Sequence, residues 1–117
     1  MAILLTGGAG FIGSHTAVAC LKAGVEVVLA DNFSNSSPKV LDRIEKITGK
    51  RPALYNVDVC DKQSLRGLFA EQSITGVVHF AGLKAVGESV RLPLAYYRNN
   101  LDSALSVLEV MQEFGCK

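Results

Sequence analysis

The sequence contains no tryptophan, and aromatic residues make up only 7% of its 117 residues. Because a surface that stacks nucleic-acid bases needs exposed aromatic rings, this composition disfavours such a surface. An excess of charge of one sign is missing as well, since 12 lysines and arginines stand against 11 aspartates and glutamates. A formal charge of +1 gives no basic field to hold a phosphate backbone, so we expect no nucleic-acid partner.

Cysteine is also sparse, and long apolar runs are missing. The three cysteines, at positions 20, 60 and 116, form no Cys-x-x-Cys pair, and the two histidines, at 15 and 79, complete no tetrahedral set with them. This spacing favours neither a disulfide framework nor a zinc site. No segment reaches the roughly 20 apolar residues that cross a bilayer. We therefore expect a cytoplasmic protein with reduced thiols, no metal and no membrane contact.

What the chain does have is a regular alternation of short apolar runs and segments of helical period. Apolar runs at residues 2–6, 25–30, 53–57 and 77–81 predict four buried strands. Helices are predicted at residues 11–23, from Pro38 to Gly49, after Asp61 as N-cap, and from Pro93 to residue 114. Buried strands separated by helices predict an α/β fold with a doubly wound parallel sheet, Rossmann-like, in one domain.

A glycine-rich loop, GGAGFIG at residues 7–13, follows the first predicted strand. In the pattern G-x-x-G-x-x-G, Gly7 permits a tight turn, Gly10 lets the backbone approach a pyrophosphate, and Gly13 lets the next helix pack closely against the sheet. The N–H groups and the positive end of that helix attract an anion. Because the loop joins a strand to a helix, it favours a dinucleotide site over a glycine turn without a ligand.

Acidic residues follow the second and third predicted strands. Asp31 stands 21 residues after Gly10, where a carboxylate can bind the adenosine ribose hydroxyls and would repel the 2′-phosphate of NADP. This pattern favours NAD, although a turn or capping aspartate is the alternative. Asn32 and the polar residues 35–37 can add contacts to the same ribose. Asp58 can accept a hydrogen bond from the adenine amine, or it can be a solvated loop residue.

Two further features are predicted to be structural. His79 lies within the fourth apolar run, which predicts a packed, hydrogen-bonded core residue. His15, on the first helix, is predicted to be structural too. The last helix carries apolar residues at a seven-residue repeat, namely Leu94, Leu101 and Leu108 together with Tyr97, Ala104 and Met111. Core packing is the first explanation of this repeat, and a helix-mediated dimer is the second.

The opening residues TGGAGFIGSH, with Asp31-Asn32 after the second strand, resemble the extended short-chain dehydrogenase/reductase family. The run HFAGLKAVGESV at residues 79–90, followed by Pro93, Tyr96-Tyr97 and Asn99-Asn100, is similar to the sugar-nucleotide epimerases of that family. The resemblance covers the whole chain. It implies NAD-dependent epimerisation at C4 of a UDP-hexose, UDP-glucose or UDP-galactose, by transient hydride transfer through a 4-keto intermediate.

The resemblance also implies which residues contact NAD. For the pyrophosphate they are Gly7, Gly10, Phe11, Ile12 and Gly13. For the adenosine ribose they are Asp31, Asn32, Asn35 and Ser36, and for the adenine Asp58 and Val59. For the nicotinamide half they are Phe80, Ala81, Gly82, Lys84 and Asn99, with Lys84 supplying a cation. The helix at residues 93–114 matches one through which the family forms homodimers.

One element of the family pattern is missing from the chain. The family's proton relay is a Tyr-x-x-x-Lys pair, whereas the residues four positions after Tyr55, Tyr96 and Tyr97 are valine, asparagine and leucine. We therefore expect no catalytic residue here and an inactive chain, an N-terminal part of the NAD-binding domain truncated after four β-α units, without the substrate domain that binds the UDP-sugar. The alternatives are a fragment of a dehydratase of the same superfamily, or a non-catalytic nucleotide-binding module.

Overall fold

The structure is a computed structural model that describes residues 2–32, 39–81 and 91–116. Strands and helices alternate strictly through these residues. In chain order they are β1 (Ala2–Thr6), α1 (Phe11–Lys22), β2 (Val27–Asp31), α2 (Val40–Thr48), β3 (Ala53–Asn56), α3 (Lys62–Glu71), β4 (Ile74–His79) and α4 (Pro93–Glu113). No helix of these three segments is long and apolar enough to cross a membrane.

The four strands form one parallel sheet in the order β3-β2-β1-β4. Leu4, in the middle of β1, lies beside Val28 of β2 on one side and Val77 of β4 on the other. The chain thus builds the sheet outward from β1 in one direction and then returns to its other side for β4. This reversal, at the β1–β4 boundary, confirms the doubly wound parallel α/β sheet, the Rossmann-like arrangement.

Helices cover both faces of the sheet, so the strands are apolar on both sides. One core combines residues of β1 and β2 with α3 and α4, including Leu4, Val28, Leu65, Leu68 and Val110. The other combines the alternate residues of the same strands with α1 and α2, including Leu5, Leu29, Ala17, Leu21 and Ile44. This period-two alternation explains why the first two strands are continuously apolar in the sequence.

The predicted helix boundaries that lie within the described residues are confirmed to within two residues. The Asp61 carboxylate caps α3 by accepting the N–H groups of Gln63 and Ser64 at 3.1 and 3.4 Å. Gly49, with a φ of 75°, ends α2, and Pro93 occupies the first turn of α4. The predicted cap of α2 at Ser37-Pro38 lies outside the described residues.

The fourth strand begins earlier than the sequence predicts. It runs from Ile74 to His79 rather than from residue 77 to 81, and Gly76 lies inside it instead of opening it. The reason is the pairing with β1, because the Ala2 N–H donates to the carbonyl of Ser73 at 2.8 Å. Tertiary pairing therefore sets the start of the strand, overriding the glycine.

Two predictions about packing are wrong. His79 is hydrogen-bonded, but it is exposed rather than packed in the core, because β4 is an edge strand of the described sheet. On α4, core packing does not explain the leucines of the seven-residue repeat, since Leu94, Leu101 and Leu108 are 79%, 43% and 60% exposed. Met111, from the same repeat, does pack against the core. The helix instead buries a neighbouring face that contains Tyr96, Ser103, Ser106, Val107 and Val110.

Candidate functional site

The carboxyl ends of the four strands bring the predicted site residues to one edge of the sheet. Gly7 follows β1, Asp31 ends β2, Asp58 lies just beyond β3, and Phe80 follows β4. Because all strand pairs are parallel, these four ends share the same edge. In open α/β sheets, ligands bind outside this edge where the strand order reverses, and here that point is between β1 and β4.

Gly7 lies at this reversal, at a position where any residue type other than glycine would be strained. Its φ is 67°, and a Cβ there would lie 2.8 Å from the Ala81 nitrogen and 2.9 Å from the Phe80 carbonyl carbon. Its own N–H donates to the carbonyl of Ala30 at 2.7 Å. The glycine loop therefore turns sharply. Its backbone contacts the residues that follow β4 and is hydrogen-bonded to β2.

Gly13 allows α1 to begin directly against the loop. A Cβ on Gly13 would overlap the Gly7 carbonyl oxygen and lie 2.9 Å from the Gly8 Cα. The predicted close packing is thus made against the loop backbone rather than against the sheet. Gly10 is different, because its φ of −75° is open to any residue and only the Gly7 oxygen, at 3.3 Å, lies near its missing Cβ.

Gly8 is a tightly constrained residue that the spacing of the glycine pattern does not predict. A Cβ on Gly8 would lie 2.7 Å from Leu29 Cδ2 and 2.9 Å from the Leu5 carbonyl oxygen. The loop therefore rests directly on the core on the α1 side of the sheet. Two adjacent glycines are the signal in the sequence, but the G-x-x-G-x-x-G spacing does not include the second.

The N-terminus of α1 has no side-chain cap from any residue that the structure describes. Gly10 offers no side-chain acceptor, and the first turn contains no acidic residue, whereas α3 has Asp61 as its cap. Phe11 and Ile12, in that first turn, are 81% and 55% exposed. The first N–H groups of a helix need acceptors, and its macrodipole favours an anion there. The arrangement fits a phosphate or pyrophosphate group.

Asp31 contacts this loop directly. Its Oδ2 accepts the backbone N–H of Ala9 at 3.0 Å, joining the end of β2 to the glycine loop. The carboxylate is therefore fixed beside the α1 N-terminus, where the sequence predicts a ribose contact. Asn32 follows it and is exposed. Asn35 and Ser36, predicted for the same ribose, lie outside the described residues.

The turn after β3 places Asp58 on the surface and Val59 in the interior. One Asp58 oxygen accepts the Cys60 N–H at 2.9 Å, so the carboxylate stabilises its own turn. Val59 is only 7% exposed and packs with α3 and α4. An adenine at this edge would therefore meet the Asp58 side chain but only the backbone of Val59.

The segment after β4 is held to the end of β1. The Phe80 N–H donates to the Thr6 carbonyl at 2.9 Å, and the Ala81 N–H donates to the Thr6 hydroxyl at 3.3 Å. Asn99, on α4, is half-buried, and its carbonyl accepts the Cys60 thiol at 3.8 Å. Gly82 and Lys84, predicted for the nicotinamide half, lie outside the described residues.

The described residues around this edge include one thiol, that of Cys60. Burial and the nearby Asp58 carboxylate raise the pKa of Cys60, which keeps its thiol protonated and weakly nucleophilic. In residues 2–32, 39–81 and 91–116, no three His, Cys, Asp or Glu side chains come together as a metal site. What the edge offers is a set of backbone donors and two carboxylates, Asp31 and Asp58, each of which accepts a backbone N–H.

Curated proteins and solved structures that are similar to this chain include UDP-glucose 4-epimerases. The chain is 53% identical over all its 117 residues to the UDP-glucose 4-epimerase of Bacillus subtilis and 54% identical over 115 residues to that of Haemophilus influenzae. It spans about a third of the length of these curated relatives, 34% in each case. The structure of the Bifidobacterium longum UDP-glucose 4-epimerase, in complex with NAD+ and UDP, superposes with a TM-score of 0.97 at 50% identity, covering 100% of this chain and 35% of that one.

The family assignment does not depend on any one relative. The profile of the NAD dependent epimerase/dehydratase family matches residues 3–117. That match includes the glycine loop, Asp31 and the segment after β4. The chain therefore belongs to the NAD dependent epimerase/dehydratase family.

Proposed function

We propose that the carboxyl edge of this sheet binds NAD, with the pyrophosphate at the α1 N-terminus and the adenosine ribose at Asp31. The observation that carries the proposal is the 3.0 Å hydrogen bond from the Ala9 N–H to Asp31 Oδ2, which places a carboxylate beside the N-terminus of α1. A carboxylate there accepts hydrogen bonds from ribose hydroxyls and repels a 2′-phosphate. The site therefore prefers NAD to NADP.

The remaining predicted contacts fit the same orientation. The adenine lies toward Asp58, at the end of β3, and the nicotinamide lies toward Phe80, Ala81 and Asn99, near the end of β4. Lys84, Gly82, Asn35 and Ser36 belong to the same proposed set. Gly7 and Gly13 let the loop and α1 pack closely enough to form this edge, because a Cβ on either would meet other backbone atoms.

The reaction that we propose for the protein containing this chain is epimerisation at C4 of a UDP-hexose. The chain matches about a third of the length of relatives that are named UDP-glucose 4-epimerase, and one of these was crystallised with NAD+ and UDP. Bound NAD would supply hydride acceptance and return at the sugar carbon. This chain's residues bind and orient the cofactor, while the 117 residues contain no Tyr-x-x-x-Lys pair to move the hydroxyl proton.

We also propose that two copies of the chain associate through α4. The exposed α4 stripe, defined as Leu94, Tyr97, Leu101, Leu105 and Leu108, recurs every three or four residues along the helix and is 43–79% exposed. Such a stripe is typical of a helix that packs against a partner helix. The buried face of α4 is separate and already packs on the sheet.

Ligand titration tests the cofactor proposal. Isothermal calorimetry of the chain with NAD and with NADP should show tighter binding of NAD. Asp31→Ala should weaken NAD binding by about tenfold to a hundredfold, the effect of losing a charge-assisted hydrogen bond. The same variant should reduce the difference in affinity between NAD and NADP, because the Asp31 carboxylate no longer repels the 2′-phosphate of NADP.

Asp42→Ala is the matched control. Asp42 is an exposed carboxylate on α2 that accepts a hydrogen bond from Arg51 at 3.0 Å, and it is not in the proposed site. Its removal should leave both affinities unchanged. Equal binding of NAD and NADP by the unaltered chain, or unchanged NAD affinity in Asp31→Ala, would contradict the proposal.

A further inference from the structure

A chain of hydrogen bonds links the ends of β1 and β4 to α4. The Ala81 N–H donates to Thr6 Oγ1 at 3.3 Å, and Thr6 Oγ1 lies 2.6 Å from His79 Nδ1. On the other side of the imidazole, His79 Nε2 lies 3.5 Å from Ser103 Oγ, which donates to the carbonyl of Asn100 at 3.1 Å. Thr6 and Ser103 are 0% and 1% exposed.

The hydrogens of the two hydroxyls select one tautomer of the imidazole. The Ser103 hydrogen is used on the Asn100 carbonyl, so Ser103 Oγ can only accept from His79, which places the hydrogen on Nε2. Nδ1 then accepts the Thr6 hydroxyl, whose oxygen still accepts the Ala81 N–H. The opposite tautomer would leave the buried Thr6 hydroxyl hydrogen without an acceptor among these contacts, which is costly.

Both ends of this series of hydrogen bonds lie at the nicotinamide side of the proposed site. Ala81 is itself a proposed contact, and Asn100 follows the proposed contact Asn99 on α4. We propose that Thr6, His79 and Ser103 are positioning residues that hold the Ala81 backbone and the Asn99–Asn100 turn of α4 in register for the nicotinamide end of NAD. This inference deepens the proposed function and rests on it.

The tautomer provides a test that does not depend on activity. In a sample with ¹⁵N-labelled histidine, long-range ¹H–¹⁵N spectra should show His79 in the Nε2–H form. His15 is an internal reference, because its Nδ1 lies 2.7 Å from the Phe11 carbonyl and therefore carries a hydrogen. A His79 ring with its hydrogen on Nδ1 would overturn the inference.

Two ligands test the positioning role. NAD and ADP-ribose share the adenosine and the pyrophosphate, but only NAD carries nicotinamide. Thr6→Val keeps the shape of the side chain without the hydroxyl, and it should raise the Kd of NAD about threefold or more, with less than a twofold change for ADP-ribose. Thr6→Ser restores the hydroxyl and should return the ratio of the two Kd values to that of the unaltered chain.

Ser103→Ala is a second variant, at the α4 end of the series of hydrogen bonds. It should also weaken NAD binding more than ADP-ribose binding. Circular dichroism checks that each variant is folded. Equal effects on NAD and ADP-ribose, or no effect on either, would overturn the positioning role. If the unaltered chain binds neither ligand, the proposed function fails and the positioning role is withdrawn with it, whatever tautomer His79 has.

Discussion

Replacing Gly13 by alanine should destabilise the chain, although alanine is the better helix former. In a helix interior the change from glycine to alanine gains about 0.5–1 kcal/mol. At Gly13, however, the new Cβ overlaps the Gly7 carbonyl oxygen and lies 2.9 Å from the Gly8 Cα. Both are backbone atoms that cannot rotate away, and overpacking of this kind costs about 1–3 kcal/mol. The net change is therefore between about zero and a loss of 2.5 kcal/mol.

Gly67→Ala is the matched control for this prediction. Gly67 lies in α3, is exposed, and a Cβ there would meet nothing within 4 Å. The control should therefore show the propensity gain alone, and the two variants should differ by about 1–3 kcal/mol, the cost of the overlap. Urea unfolding followed by circular dichroism measures both free energies of unfolding.

The same change should also affect the ligand. An alanine at position 13 pushes the Gly7–Gly8 backbone away from the α1 N-terminus, so Gly13→Ala should bind ADP-ribose more weakly while Gly67→Ala should not. If Gly13→Ala is as stable as Gly67→Ala and binds ADP-ribose equally well, the close contact between helix and loop does not exist as described.

Two further predictions concern stability and association. Hydrogen bonds from Ser64 lower the pKa of Asp61, and hydrogen bonds from Arg66 lower the pKa of Glu113. Both carboxylates therefore stabilise the folded chain at pH values above their unfolded pKa. This stabilisation is lost as the pH falls through their pKa values in the folded chain. Urea midpoints should therefore fall from pH 5 toward pH 3, less steeply in Asp61→Asn, which caps α3 without titrating; an identical pH profile in that variant would contradict this origin. In sedimentation equilibrium, the unaltered chain should be a dimer, and the double variant Leu101→Glu, Leu108→Glu should be a monomer. The control Ile47→Glu, at an exposed site on α2, should remain a dimer. A monomeric unaltered chain would refute the role of the α4 stripe.

The sequence was sufficient to predict the features that depend on local pattern. The strand β1 and the glycine loop were predictable because a fully buried strand is apolar at every position and the loop spacing is specific. Asp31 was predictable from its distance along the chain, and the structure adds its contact with Ala9. The cap at Asp61 was predictable because a polar residue there precedes an amphipathic run.

The features that the sequence did not predict depend on contacts between distant segments. On α4 the leucines suggested a buried face, but the sheet is contacted by a neighbouring face that includes Ser103 and Ser106. Serine is usually exposed, but the Ser103 hydroxyl has hydrogen-bond partners in the interior, His79 and the Asn100 carbonyl. Gly8 was missed because the core beneath it, at Leu29, is formed by another strand.

The central claim, that the carboxyl edge of the sheet binds NAD, is tested most directly by amide chemical shifts. A ¹H–¹⁵N spectrum of the chain titrated with NAD should show the largest changes at residues 7–13, at Asp31 and at residues 80–81, saturating with one affinity. Changes confined to the α4 stripe, or no change at millimolar NAD, would contradict the claim.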